Sequence, residues 1–544
     1  MTNGYSIATL VVFILSIAFV IHPIKIPTRI SSVPHIPLNL TTAPILAIAI
    51  LWAAQCINPT VIKDGIVGTD GVKPYNILIL FFTLAYMAIT LDVSGILQAA
   101  AFWVSNKGGS NGWKLYFYFY IMLTLLSILL GNDPIILSGT AFLVYYTHAA
   151  NLEPMPWLMA EFAAANTASM VLFVGNPTNV VICEGFSVND AAFTAYTILP
   201  FLACNVVCFI ALAGQYRSEK HVPRRLVGVP KRNPRSVLSD PVGALVGSFL
   251  LGSALVVCLV VSFFGVDVWK ISLPFAVAKF IFDISWDHYK HTHHIRASGR
   301  GQNAEDVLGS IVADKKAAIE ALENGPEEEP QLPSLVLHST TDRASSFPTD
   351  EETAVNSPQQ APDTLQRTQI QAMISRLQPH FHTFFTALPR LPFALVPFAF
   401  SQFILIEALA HQGWVDIFAN WLVKATHKEI HSTIWLIGIV GVILCNLSGT
   451  NIGATILLTK IVRASALPPH SDRAAAIALA VASNIGAVSF TFSASLAGLL
   501  WKGILKQKGI VVKQREFAYW NCLPLLVMTV AGLAVVCAEM AVLY

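Results

Sequence analysis

Residues 131–134, Gly-Asn-Asp-Pro, interrupt an apolar stretch with a tetrapeptide that disfavours a continuous helix. Pro134 lacks a backbone N–H group, and Asn132 and Asp133 are residue types that cap helix ends. The sequence therefore predicts that one helix ends here and that a second begins, with Asp133 as its N-cap and Pro134 as its first helical residue. If the flanking apolar runs cross a membrane, the freed backbone groups must be buried in protein or line a wet cavity.

Composition places these runs in a membrane. Hydrophobic residues make up 54% of the chain, charged residues make up 12%, and the mean hydropathy is +0.61, values that soluble domains do not reach. Apolar runs near the ~20 residues of a spanning helix predict on the order of ten to twelve membrane segments. The run at 7–21 has no basic region ahead of it, so we expect a retained helix rather than a cleaved signal peptide.

A second interruption of the same kind follows at residues 175–179, Gly-Asn-Pro-Thr-Asn. Asn176 can cap a helix and Pro177 can start one. Discontinuous helices of this type are how secondary transporters build substrate sites near the middle of the bilayer. The chain contains no HExxH, GxSxG or P-loop motif, so we expect a protein that is not an enzyme.

Charge and composition divide the chain into five regions. Seven Lys and Arg residues between 217 and 235 give the strongest positive-inside signal, and a Pro/Ser/Glu-rich run at 325–365 predicts disorder, preceded by a short helix at 305–323. The regions are N-terminal transmembrane helices at 1–74, a first transport repeat at 75–213, a basic cytoplasmic loop with connecting transmembrane helices at 214–284, a cytoplasmic, largely disordered insert at 285–387, and a second transport repeat at 388–544.

The two transport repeats are related by a constant offset of 318 positions. The offset places the glycine of the first break, Gly131, on Gly449, and it places residues 132–133 on 450–451. It also places residues 175–177 on 493–495. The sequence thus predicts an all-α polytopic membrane protein with two repeats, each containing a re-entrant hairpin and a broken transmembrane helix.

Loop charges predict that the two repeats are inverted relative to each other. Residues 186–192 contain no Lys or Arg, whereas the corresponding end of the second repeat, 502–515, contains five. Because basic loops favour the cytoplasm, these two ends should face opposite sides. We expect residues 214–240, 285–387 and 506–516 on the cytoplasmic side. We expect residues 186–192 and 424–432 on the opposite side.

These motifs resemble those of the ion transporter superfamily, and most closely its arsenite/antimonite efflux permeases. The 131–134 tetrapeptide looks like their Ala-Asn-Asp-Gly hairpin, residues 165–169 and 175–179 look like their Ala-Asp/Asn-Thr-Ala-Ser and Ser-Asn-Leu-Val-Asn elements, and 495–501 is similar to their Ser-Leu-Ala-Thr-Leu-Leu-Trp. The resemblance implies a secondary active transporter that moves a small anion or metalloid oxyacid by alternating access. It implies coupling to a proton or sodium gradient, and it makes a homodimer plausible.

The same motifs also fit two alternatives in this superfamily, a citrate/dicarboxylate carrier or a D-type sodium/proton antiporter. An ion channel is a more remote alternative, because paired hairpins favour a gated site over an open pore. We expect a multi-pass protein of the lipid bilayer, with the plasma membrane favoured over an internal membrane. No cofactor, metal ion or nucleic-acid partner is predicted.

We predict that the substrate site forms where the polar breaks converge. Its residues are Asn132, Asp133, Gly175, Asn176, Thr178, Asn179, Gly449, Thr450, Asn451, Ser493 and Ser495. Asp133 is the predicted ion-coupling residue, because an ionisable group at membrane depth is costly and usually marks an ion or proton path. Its counterpart at the offset is Asn451, which cannot titrate. The two hairpin tips would therefore present one acid and one amide to a shared site.

Several other polar residues have two possible roles, one functional and one structural. Four acidic residues lie within or beside spans and are either interfacial or functional, namely Asp92, Glu161, Glu184 and Glu407. Two cysteines, Cys183 and Cys445, could bind a thiophilic metalloid, although buried cysteine usually acts as a small hydrophobe. The histidines at 288, 291, 293 and 294 fit a solvated basic segment better than a metal site.

Overall fold

A computed structural model describes residues 3–27, 35–226, 233–264, 266–293 and 377–544. The predicted short helix at 305–323 and the predicted disordered run at 325–365 lie outside these described residues. Within them the chain is almost entirely helical, as the sequence predicts.

The N-terminal region contains three helices and a small β-hairpin. Helix α1 spans Gly4–Ile21, and strands β1 (Ile24–Pro27) and β2 (His35–Leu38) pair in antiparallel fashion with Ile24 opposite Leu38. Helices α2 (Thr42–Ala53) and α3 (Pro59–Val67) follow. The sequence did not predict either the strands or α3, because two four-residue strands lack a long alternating pattern and α3 contains charged residues and a glycine.

The first half of the helical core comprises seven helices, with a short 3₁₀ turn at Phe173–Gly175 before α9. They are α4 (Pro74–Val93), α5 (Ile96–Gly108), α6 (Gly112–Leu130), α7 (Asn132–Ala149), α8 (Pro154–Ala168), α9 (Pro177–Gly185) and α10 (Asp190–Gln215).

Four further helices lie among the described residues between the halves: α11 (Pro234–Val237), α12 (Pro241–Val261), α13 (Trp269–Thr292) and α14 (His382–Ala387). Helix α13 continues well past residue 284, where the sequence predicts that the polar insert begins. Helix α14 packs on α4 and α13, and 3₁₀ turns lie at Ser262–Phe264 and Leu388–Arg390. Both described ends of the predicted insert are therefore helical and packed.

The second half of the core repeats the helix order of the first, again with a 3₁₀ turn, Phe492–Ala494, before its sixth helix. Its helices are α15 (Leu395–His411), α16 (Trp414–Thr426), α17 (Ile430–Leu447), α18 (Asn451–Ala464), α19 (Pro469–Ile485), α20 (Leu496–Gln507) and α21 (Gln514–Leu543).

Backbone details also repeat between the halves. Gly131 and Gly449 have φ values of 83° and 80°, in the left-handed region that favours glycine. The predicted offset of 318 slips by one residue later in the repeat, because the helix caps Asn176 and Ser495 are equivalent. Residues 175–177 therefore correspond to 494–496, and the predicted match to 493–495 is wrong. An extra residue between α19 and α20 accounts for the slip.

In each half, the helices on either side of this glycine form an antiparallel hairpin. The ring of Phe119, before Gly131, lies 5.3 Å from that of Tyr146, well after it. In the second half, a Cβ at Gly441 would lie 3.7 Å from Leu458, on the far side of Gly449. The two arms of each pair thus run back along each other, as the predicted hairpins require.

Each hairpin packs against the short helix that follows the break in the other half. Helix α7 of the first half packs against α20 of the second, and α18 of the second half packs against α9 of the first. Such reciprocity is the mark of a twofold relation between two bodies.

The last helices of the two halves, α10 and α21, run antiparallel along their whole length. The ring of Tyr216, just after α10, lies 4.6 Å from that of Trp520 near the start of α21. At the other end, Arg473 donates hydrogen bonds to Tyr196, near the start of α10, and to Tyr544, the last residue of the chain.

Eight helical stretches among the described residues are long and apolar enough to cross a membrane. The prediction of ten to twelve is higher because several helices have fewer than 18 residues, namely α2, α8, α9, α18, α19 and α20. Helices α7 and α13 are long enough but too polar. Hairpin arms and half-helices can penetrate a bilayer without crossing it, provided that protein surrounds their ends.

Candidate functional site

At the first hairpin tip, the carboxyl group of Asp133 has no bonding partner among the described residues. Helix α7 begins at Asn132, with Gly131 as N-cap and no capping side chain. The prediction that Asp133 is the N-cap and Pro134 the first helical residue is wrong, because the left-handed Gly131 turns the chain without a capping side chain. Asp133 lies in the first turn, at the positive end of the helix dipole. Within the described part of the chain, its carboxylate has no hydrogen bond or ion pair.

A cavity of about 370 Å³ opens at this tip. Residues 130–134 form one wall, and the segment 389–394 forms another. Apolar side chains of α4, including Phe81 and Leu84, complete much of the lining. The cavity is therefore mostly apolar, with its polar groups gathered at the hairpin tip and at Arg390, as in typical small-molecule sites.

Arg390 is the cationic residue of this cavity. Its guanidinium lies 3.1 Å from the carboxylate of Asp92, which is buried at the end of α4 and also accepts a hydrogen bond from Ser138 of α7. The Arg390 side chain keeps 39% of its surface exposed. A guanidinium has five N–H donors, so the single contact with Asp92 leaves most of them available to a ligand.

The sequence analysis missed Arg390, and it left Asp92 unassigned. A signal was present, because Arg390 is the one cationic residue in the apolar run at 388–409, and charges in such runs are costly and usually functional. What it could not supply was the ion pair, because Asp92 lies 298 positions away.

The break between α8 and α9 is organised by asparagine side chains. Asn176 caps α9 by accepting a hydrogen bond from the N–H of Thr178, and Pro177 opens the helix, which confirms both predictions. The amide of Asn179 donates to the carbonyl oxygens of Ser169 and Leu172 at 2.8 and 2.9 Å. Asn179 thus satisfies backbone groups that the break releases. Gly175 lines the cavity beside this break.

The second hairpin tip is packed more closely. Thr450 caps α18 by accepting from the N–H of Gly453 at 3.3 Å, and Asn451 donates to the carbonyl of Ser483 at 3.3 Å. A Cβ at Gly449 would lie 2.9 Å from Val20 of α1. This tip is buried and does not reach the cavity at the first tip.

Of the two predicted serines at the second break, Ser495 has a defined role. It caps α20 by accepting from the N–H of Gly498 at 3.0 Å. Ser493 is buried in the 3₁₀ turn and, because of the one-residue slip, corresponds to Val174 rather than to Gly175. Neither serine lines the cavity.

A buried polar cluster joins the two halves between the breaks. Asn484 of α19 donates to Asn179 at 2.7 Å and accepts from Ser169 and Asn176 at 2.9 and 3.3 Å. Ser483 donates to Thr178 at 3.3 Å. The structure thus brings the predicted residues of α9 into contact with a residue, Asn484, that the predicted site omitted.

Asn166, the counterpart of Asn484, joins the first hairpin tip to α8 within the first half. Its carbonyl oxygen accepts from Asn132 at 3.3 Å, and its amide donates to the carbonyl four residues back, as that of Asn484 does. Asn166 and Asn484 are matched by the 318 offset, so the repeat itself was a signal for both.

An ion-pair cluster joins α15, α18 and the loop before α4 at the opposite end of these helices from Arg390. The ammonium of Lys460 on α18 lies 2.7 Å from Glu407 on α15 and 3.2 Å from Asp70 in the loop before α4. Thr69 donates to Glu407 at 2.9 Å and lies 2.7 Å from Lys460. These contacts tie the second hairpin to the surrounding helices. We call Thr69, Asp70, Glu407 and Lys460 the end cluster.

A more exposed cluster lies at the same end. Lys73 pairs with Asp267 at 2.9 Å, and Lys270 pairs with the same carboxylate at 2.9 Å. Hydrogen bonds from Lys270 and then Lys73 hold the pKa of Asp267 below its ordinary value. The backbone N–H of Lys73 donates to Glu184 at 2.7 Å, which ties the start of α4 to the end of α9.

The cysteines and histidines considered in the sequence analysis form no metal or metalloid site among the described residues. Cys183 and Cys445 are buried and lie outside the cavity lining, which fits small hydrophobes. His288 lies 2.7 Å from His380 on the exposed surface, and His294 lies outside the described residues. Across the described ranges, no group of three His, Cys, Asp or Glu residues is arranged to hold a metal ion.

This arrangement defines the class of protein. Helical hairpins and discontinuous helices surround a largely apolar cavity that carries a few charged and amide groups, which is the architecture of a membrane transporter. The sequence model described as citrate transporter (CitMHS) matches residues 7–317, which is more than half of the chain. The chain belongs to this citrate transporter family.

Relatives at lower identity agree with this class. The chain is 24% identical over 215 residues to the arsenical pump membrane protein of Escherichia coli strain K12, covering 38% of this chain and 48% of that protein. It is 23% identical over 205 residues to a 46 kDa membrane protein of Mycobacterium leprae, covering 37% and 47%. The chain thus spans about half the length of each relative.

Among solved structures, the chain matches the YdaH transporter of Alcanivorax borkumensis with a TM-score of 0.44 and 12% identity. The match covers 99% of this chain and 98% of that one.

Proposed function

We propose that this protein is a secondary active transporter that moves a small anion or metalloid oxyacid by alternating access, coupled to a proton or sodium gradient. The observation that carries the proposal is the cavity at the first hairpin tip, where the guanidinium of Arg390 and the unpaired carboxyl of Asp133 line one space. A guanidinium binds oxyanions and carboxylates well, and a carboxyl group can carry a proton or bind a cation.

In many secondary transporters, alternating access is built on two repeats that are inverted in the membrane. The antiparallel course of the equivalent helices α10 and α21 supports this inversion. The bases of the hairpins support it too. The first base lies beside the basic loop, where Gly112 donates to the carbonyl of Arg224, whereas the second lies near Tyr544, whose ring is 4.0 Å from that of His470.

The cavity faces the end that carries the basic loop. Arg390 binds Asp92 near the end of α4, and the residues after it, Val93 and Ser94, accept hydrogen bonds from Ser239 just beyond that loop. Because basic loops favour the cytoplasm, the cavity faces inward in this conformation. The end cluster around Lys460 closes the other side.

Two substrate classes have support. The likeness to an arsenical pump membrane protein favours efflux of an arsenite-like oxyacid. The citrate transporter family favours a carboxylate, and so does Arg390, because a guanidinium pairs best with a ligand that carries negative charge. Asp133 is the proposed coupling group for either substrate, and protonation of this carboxyl would remove its repulsion of an anion.

Reconstitution tests this proposal directly. Purified protein in liposomes should take up labelled arsenite, citrate or succinate saturably, and a pH or sodium gradient should drive accumulation above equilibrium. Arg390→Gln should raise the KM for the substrate that is transported, whereas Lys506→Gln, a surface change outside the cavity, should not. Flux that never saturates and never runs against a gradient would show a channel instead.

A further inference from the structure

Glu161 is an acidic residue that the cavity does not explain. It lies on α8, its side chain is fully buried, and it is absent from the cavity lining. One carboxyl oxygen accepts a hydrogen bond from Thr140 of α7 at 3.0 Å, and the other has no partner among the residues that the structure describes. That second oxygen faces the backbone of α7 so closely that a Cβ added at Gly139 would lie 2.3 Å from it.

The second repeat provides an internal control for this position. The offset of 318 matches Glu161 to Leu479, and it matches Gly139 and Thr140 to Leu457 and Leu458. All three leucines are buried in the equivalent helices α18 and α19. The hairpin packing therefore accepts apolar side chains throughout, and the carboxyl group with its glycine and threonine neighbours is not needed for the fold.

No neighbouring charge compensates Glu161. The helices that pack on α8 are α6, α7, α10, α19, α20 and α21. None of their acidic, basic or histidine side chains forms a hydrogen bond or ion pair with Glu161 in the part of the chain that the structure describes; they are Lys114, Asp133, His148, Asp190, His470, Asp472, Arg473, Lys502, Lys506, Arg515, Glu516 and Glu539. An ionised carboxylate with an unpaired oxygen is strongly disfavoured there, so the neutral acid is the form that fits.

Helix α7 lies between Glu161 and the ion pair at the cavity wall, because Gly139 faces Glu161 and Ser138 contacts Asp92. Ser138, next to Gly139 on α7, donates a hydrogen bond to Asp92, which pairs with Arg390 at the cavity wall. A small space of about 10 Å³ beside α7 is lined by Gln98, Ser138 and Gly139 and otherwise by apolar side chains of α5, α6 and α7. That volume is about the size that one water molecule requires.

We propose that Glu161 is a second proton-carrying carboxyl of the transport cycle. It holds a proton in the inward-facing conformation, and it releases that proton when the first hairpin moves and its carboxylate gains water or hydrogen-bond donors. The proton leaves Glu161 as H⁺ to water on the Ser138 side and returns by the same route, so no other reactant is needed. This proposal rests on the proposed transport function, with the proton as a coupling ion.

Infrared spectroscopy tests the proton-holding step without transport. The purified wild-type protein should show the C=O stretch of a protonated carboxylic acid that persists above the ordinary pKa of glutamate. That band should be missing from Glu161→Gln and from Glu161→Leu, which installs the residue of the second repeat. It should remain in Asp133→Asn. A wild-type spectrum without the band, or an unchanged band in Glu161→Gln, would overturn the proposal.

Transport stoichiometry tests the coupling step. In liposomes, Glu161→Gln and Glu161→Leu should still exchange substrate, but the number of protons moved per substrate should fall by one. An unchanged ratio in a folded variant would reduce Glu161 to a structural hydrogen bond and overturn the proposal. If the wild-type protein moves none of the tested substrates, the transporter function fails as a whole, whereas the infrared band still reports on the Glu161 proton.

Discussion

The two hairpin tips share a backbone but differ in what surrounds them. Both turn at a glycine with φ near 80°, and both start a helix that returns along its partner. The first tip opens into a cavity with Arg390, whereas the second is buried beneath Val20. At the second tip the cap of Thr450 and the bond from Asn451 use the polar groups internally, whereas Asp133 stays uncommitted.

This difference teaches that the helix break and the charge are separable. The break is a property of the local backbone, and both repeats have it. The acidic groups at and beside the cavity occur in the first repeat, because the offset matches Asp92 to Ala410, Asp133 to Asn451 and Glu161 to Leu479. Arg390 comes from the segment that precedes α15. The fold thus accepts neutral residues at the three matched positions of the second repeat, and the following experiments probe this asymmetry.

The largest effect should come from Asp133→Asn. Since Asp133 is not a cap, this change should leave folding and substrate exchange intact while abolishing accumulation driven by a pH gradient. Counterflow and gradient-driven uptake in the same liposomes measure the two activities separately.

The matched control places the acid on the other tip. Asp133→Asn combined with Asn451→Asp should not recover accumulation, because the second tip lacks the cavity. Recovery would show that the tips are interchangeable, and unchanged pH dependence in Asp133→Asn alone would move the coupling site elsewhere.

Removing the cationic group of the first tip should have the next largest effect. Arg390→Gln should raise the KM about 10-fold or more, since a hydrogen bond to a charged group contributes about 1.5–3 kcal/mol. It should also destabilise the protein, because it leaves the buried Asp92 unpaired. The double variant with Asp92→Asn should regain thermal stability but not affinity. A KM that returns together with stability would mean that Arg390 acts only through folding.

Breaking the end cluster should shift the conformational balance rather than affinity. Lys460→Met removes the cation that joins Glu407 to Asp70, and a loss of one or two kcal/mol changes a two-state ratio about 5- to 30-fold. We expect faster labelling of a cysteine introduced at Val181, which lines the small space beside this cluster. Lys73→Gln, in the more exposed pair at the same end, is the matched control and should change labelling little.

The smallest effect should come from Asp267→Asn, far from both tips. Its ion pairs are partly exposed, so we expect a loss of about 0.2–1 kcal/mol of stability at neutral pH. Because the folded pKa of Asp267 is lowered, its contribution is fully present above the ordinary pKa of about 3.9 and disappears as the pH falls through the lowered value. Thermal unfolding of wild type and variant should therefore converge in acid, and a constant difference at all pH values would contradict this assignment.

The sequence by itself determined where the helices break. Gly131, Gly449 and the Asn176-Pro177 pair have backbone preferences that act within a few residues, so the breaks could be located without any tertiary contact. Apolar runs likewise predicted most of the helices. The exact caps were less predictable, because a left-handed glycine and a capping aspartate are both reasonable ways to start α7, and the structure uses the glycine.

Only the tertiary structure decided which break carries a cavity and a charge. Asp92 and Arg390 meet although they are 298 positions apart, and Gly449 is buried because α1 packs over it. Such contacts depend on how whole helices are arranged. A local sequence pattern does not specify which distant helix packs over a given tip. The two tips therefore read alike along the chain, and they differ because packing leaves one open and closes the other.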